Sequence, residues 1–74
     1  MKPLLVSSFS WSTENVCAFL REIGLGVYQR VFIENEMDGQ SLMLLSKEDL
    51  ASLVPHPVHR QRLMDALSVH GFKV

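Results

Sequence analysis

Apolar residues recur along this chain at helical spacing, in short blocks separated by polar caps and turn formers. Val16, Phe19, Leu20 and Ile23 fall at i, i+3, i+4 and i+7 and define one face of a first helix. Ser12 stands just ahead of it, where its hydroxyl can accept from the backbone N–H of N2 or N3, Glu14 or Asn15. Gly24 follows the last turn, a usual place for positive φ. Leu25, Tyr28, Val31 and Phe32 form the next stripe, which predicts a helix over about 26–34. Asp38 opens a short third helix, with Gly39 making the turn and Leu42 and Leu45 facing inward. Ser46 caps a fourth, with Glu48 and Asp49 suited to the positive end of its dipole and Leu50, Leu53 and Val54 inward.

The run Val54-Pro55-His56-Pro57 then stops any helix, because Pro57 pushes His56 out of the α region. Pro57 itself fits the first position of a last helix. Val58, Leu63, Ala66, Leu67 and His70 give that helix one face to about residue 70, and Gly71 closes it. No segment alternates with period two over strand length, so no sheet is expected. The pattern predicts an all-α, compact five-helix bundle with the last helix longest, over residues 10–72. Residues 1–9 have no period and contain Pro3, and read as a flexible leader.

Length and composition narrow the function. Seventy-four residues make one domain, and 47% hydrophobic content suffices for one small core. Little is left over to wall a deep pocket, which counts against an enzyme. A secreted domain of this size usually carries several disulfides, so the single cysteine, Cys17, favours an intracellular location, cytoplasm or nucleus. Leu4-Leu5-Val6 is too short for a membrane span, so no membrane partner is expected.

The ordered set Trp11-Ser12, Val16, Phe19-Leu20, Ile23-Gly24-Leu25, Tyr28, Phe32, Asp38-Gly39, Leu42, Leu45 and Asp49-Leu50 closely resembles the sterile alpha motif (SAM) domain, from residue 11 to about 70. The resemblance implies a helical bundle that associates with other SAM domains, of its own kind or a different one. The chain departs from the family's pattern before the last helix. There it has two prolines in place of glycines, in a segment that reads one residue shorter, which implies a stiffer loop.

The net charge of −1 conceals an uneven distribution. Glu34, Glu36, Asp38, Glu48 and Asp49 face only Lys47 within residues 34–49. Residues 56–74 hold Arg60, Arg62 and Lys73 against Asp65, with His56, His59 and His70. Asp38, Glu48 and Asp49 have an ordinary use as cap and first-turn acids, whereas Glu34 and Glu36 do not. Arg60 and Arg62 lie near a helix N-terminus, which disfavours cations and suggests that something else rewards them. By resemblance to self-associating SAM domains, Glu34, Glu36, Asp38, Glu48 and Asp49 would form an acidic mid-loop surface. His56, Val58, His59, Arg60 and Arg62 would form the end-helix surface that meets it. Such a contact is heterologous and repeats into an open-ended homo-oligomer. Met37 and Met43 could add adaptable apolar contact, with a core role expected for at least one.

Other chemistries find less support. No nucleophile elbow, phosphate loop or HExxH is present, so no catalytic residue is expected. His56-x-x-His59 lacks a third ligand and reads as two solvated histidines; no metal or cofactor is expected. Cys17 beside the apolar face reads as an inert, partly buried thiol. RNA-hairpin binding is an alternative, disfavoured by a chain that is acidic overall with few cations in its end segment. A monomeric docking domain for a non-SAM partner is another.

Overall fold

The computed structural model describes residues 10–72. The expected leader, residues 1–9, lies outside the described residues, as does Lys73. The described residues form α1 (Thr13–Glu22), a 3₁₀ turn (Gly26–Tyr28), α2 (Gln29–Glu34), α3 (Gly39–Met43), α4 (Lys47–Leu53) and α5 (Pro57–Val69). No strand occurs among them, and α5 is the longest helix at 13 residues. The second predicted helix is therefore two pieces, a 3₁₀ turn running into an α-helix.

Three helices begin on a side-chain cap. Ser12 and Asn15 form a reciprocal capping box, with Asn15 N–H donating to Ser12 Oγ (3.1 Å) and Ser12 N–H to Asn15 Oδ1 (3.0 Å). Asp38 caps α3 by accepting from Ser41 N–H at 2.8 Å, and Ser46 caps α4 by accepting from Asp49 N–H at 3.0 Å. Three helix ends close with paired 6→1 and 5→2 backbone bonds around one residue of positive φ. Those residues are Gly24 (φ 80°), Glu36 (φ 52°) and Gly71 (φ 91°). Gly39 does not make the turn expected of it. It starts α3, buried, and its N–H donates to Trp11 O at 2.8 Å, while Glu36 adopts the left-handed conformation that reverses the chain.

The core gathers Val16, Phe19, Leu20, Leu25, Phe32, Met37, Leu42, Leu50, Val54, Leu63, Leu67 and Phe72 from every helix and from the loops between. Leu45 and Leu53 pack against it only partly buried. Met37 takes the core role, and Met43 is half exposed. Two residues placed on the inner face of the last helix lie elsewhere. Val58 is 62% exposed, because it sits on the side of α5 opposite Leu63 and Leu67. His70 is exposed at the C-cap, where its ring packs edge-on against Trp11 and Phe19. No helix of the described residues is long and apolar enough to cross a membrane.

Candidate functional site

The acidic residues lie on the loop between α2 and α3 and on the first turn of α4. Glu34 is the last residue of α2, Glu36 holds the turn, and Asp38 caps α3. Donation from Ser41 N–H holds the Asp38 carboxyl below its ordinary value of 3.8. Glu48 and Asp49 occupy the first turn of α4, both exposed. One shallow groove joins the two segments, with Asn35 and Met37 on one wall and Asp49, Ser52 and Leu53 on the other. The fold thus brings Asp49 to the loop that carries Glu36.

The end-helix residues divide into an inward and an outward group. His59 is half-buried, and its Nδ1 shares a 2.6 Å hydrogen bond with the Tyr28 hydroxyl. His56 stacks on the His59 ring with centroids 4.0 Å apart. Burial first, then the neighbouring His56 and Arg62, push the His59 pKa below its ordinary 6.5. His59 is therefore not the solvated side chain that its sequence position suggested. Arg60 finds a reward inside the fold, since its Nη1 donates to the carbonyls of Val54 (3.1 Å) and Pro55 (3.2 Å) at the C-terminal end of α4. The remaining guanidinium N–H groups of Arg60 keep it a candidate for an outside acceptor.

His56, Val58 and Arg62 face outward. Val58 and Arg62 line a wide, flat groove along α5. The Arg62 head reaches over Gly24, lying 3.3 Å from where a Cβ on that residue would stand. The start of α5 differs from those of α1, α3 and α4. His56 offers no side-chain hydrogen bond to the first turn, and that turn holds no acid. The positive end of the longest helix is left facing outward beside Val58 and Arg62. Sequence spacing could not pair Tyr28 with His59, 31 residues on, or Arg60 with the end of α4.

Cys17 is buried in α1. Among the described residues no three His, Cys, Asp or Glu side chains converge to hold a metal ion. The sequence pattern of the SAM domain (Sterile alpha motif) matches residues 9–70. The chain belongs to the sterile alpha motif family. As a SAM domain it is, in class, a protein-interaction module. It is 49% identical over 49 residues to WD repeat, SAM and U-box domain-containing protein 1 of Danio rerio, covering 66% of this chain and 10% of that protein. It is 38% identical over 58 residues to SH3 and multiple ankyrin repeat domains protein 2 of Xenopus laevis, covering 77% of this chain and 4% of that protein. This SAM domain spans a tenth or less of the length of either relative. Its backbone matches a chain from the crystal structure of the Scm-SAM and Sfmbt-SAM heterodimer, with a TM-score of 0.78 and 25% identity. The match covers 90% of this chain and 97% of that one.

Proposed function

We propose that this SAM domain binds another SAM domain, its own kind or a different one, by a head-to-tail contact. The acidic surface of Glu34, Glu36, Asp38, Glu48 and Asp49 meets the end-helix surface of His56, Val58, His59, Arg60 and Arg62. One observation carries the reading. The N-terminal end of α5 has neither a capping side chain nor a first-turn acid, unlike those of α1, α3 and α4; α2 shares the lack but runs on directly from the 3₁₀ turn. A carboxylate from a neighbouring domain supplies what is missing there, completing the orphan N–H groups and opposing the helix dipole. The likeness to a chain from a SAM–SAM heterodimer supports the class of partner. Glu36 supports the acidic surface, because it keeps a carboxylate at a backbone position where glycine fits with less strain.

Charge reversal at residues that no cap depends on tests this. Glu48→Lys and Arg62→Glu should each stop chain growth, and an equimolar mixture should form pairs but nothing longer. Added salt should weaken the contact, since exposed charges mainly steer encounter. Sedimentation profiles of both variants matching the parent domain, alone and with a second SAM domain that binds it, would sink the proposal. Mass against concentration at low salt separates self-association from pairing with a different SAM domain.

A further inference from the structure

α5 is apolar on two opposite sides. Leu63 and Leu67 are fully buried, whereas Val58 and Val69 are 62% and 84% exposed. At about 100° per residue, Val58, Arg62, Asp65 and Val69 share a stripe roughly 60° wide on the side away from the core. Their successive spacings of four, three and four residues are those of a coiled-coil seam, d-a-d-a over two heptads. The same residues, with Gln61 and Ala66 beside them, line the flat groove along the helix.

This stripe is complementary to itself when reversed. If a second copy of α5 is laid antiparallel across it, Val58 meets Val69, Arg62 meets Asp65, Asp65 meets Arg62 and Val69 meets Val58. One register satisfies all four pairs, with apolar contacts at both ends and an ion pair on each side of a central two-fold axis. That reciprocity is what an isologous interface requires. Asp65 is pre-oriented for it, because Gln61 Nε2 donates to its Oδ1 at 2.9 Å and leaves Oδ2 open to accept. Arg62 is exposed and would leave its place above Gly24 to reach it.

We infer that the outer face of α5 is a two-fold interface with a second copy of this chain, the helices antiparallel and joined by the Val58–Val69 and Arg62–Asp65 pairs. It is closed, whereas the head-to-tail contact is open-ended. The two share Val58 and Arg62 and compete for them. A single-helix seam is smaller than the roughly 1,200 Å² of a standard interface, so the dimer is weak and forms at high protein concentration.

The test uses the Glu48→Lys variant, in which the acidic surface is disabled. Sedimentation equilibrium up to about 1 mM should show a mass rising from 8.4 kDa and levelling at twice that value. Adding Asp65→Arg should weaken this dimer about tenfold, because both attractive pairs become like-charge pairs. Exchanging the two charges, Arg62→Asp with Asp65→Arg, should restore it. Val69→Glu should abolish it while circular dichroism stays unchanged. The Glu48→Lys variant remaining monomeric throughout the concentration range overturns the inference. So does a dimer indifferent to Asp65→Arg and Val69→Glu. Neither result bears on the head-to-tail contact, which is read from Glu48 and Arg62 in the unmodified background.

Discussion

Glu36 and His59, both proposed contact residues, also have parts to play inside the fold. Glu36 occupies the closing position of the α2 cap with φ of 52°, where Gly24 and Gly71 stand in the two other caps of this kind. Left-handed backbone costs a residue with a Cβ about 1–2 kcal/mol, part of which glycine returns through its freer unfolded chain. Glu36→Gly should therefore leave stability level or raise it by up to about 1 kcal/mol in urea unfolding, while weakening SAM–SAM association. A loss of stability would place the glutamate's value inside the fold. His59 gives a pH signature. Its pKa is lowered, so the unfolded chain binds a proton more readily than the native one between the native pKa and 6.5. Its contribution is complete above that range and is lost as pH falls through it. The urea midpoint should drop as pH falls below 6.5, and His59→Gln should flatten that drop.

At the scale of elements, α5 supplies the clearest contrast. Leu63→Ala removes a fully buried side chain facing the core and should cost about 2–5 kcal/mol. Val69→Ala, on the opposite face, should change stability by no more than about 0.5 kcal/mol. Thermal unfolding of the two variants checks both. Helix starts were legible in the sequence because a cap is a local event: Ser12, Asp38, Ser46 and Pro57 act within three residues of where they stand. Periodicity also placed Val16, Phe19, Leu20, Leu42 and Leu50 in the core. It failed at Val58, since one valine at the start of a helix with two apolar sides fits either side. The intrachain partners of Arg60 and His59 were not legible for a different reason. Those partners, the end of α4 and Tyr28, arrive through folding of the whole chain and leave no mark in local spacing. Of the candidate site, the residue types and charge asymmetry were visible in the sequence. The split of the end-helix set into inward and outward groups was not.

For the molecule as a whole, the two proposed contacts have different symmetry and therefore different products. Head-to-tail binding adds domains without limit, and a two-fold contact stops at two. Because both draw on Val58 and Arg62, a copy whose end helix is engaged head-to-tail is not free for the two-fold pair, so only the copy at the open end of a row would use it.

The aromatic cluster at one pole of the bundle bears on how such a domain is carried. Trp11, near the start of the described chain, and Phe72, at its end, have ring centroids 5.9 Å apart, with Phe19 and His70 packed against Trp11. The two ends of the described segment lie at nearly the same spot, so within a longer protein such a domain would hang like a bead on a loop and add almost nothing to that protein's reach. A circular permutant with residue 72 joined to residue 11 by a short glycine–serine bridge, and new ends cut in the exposed Pro55–His56 stretch, should retain its helical circular dichroism and cooperative melting. Assembled in a row, such domains would gather many host chains along one scaffold while leaving each host free to extend in its own direction.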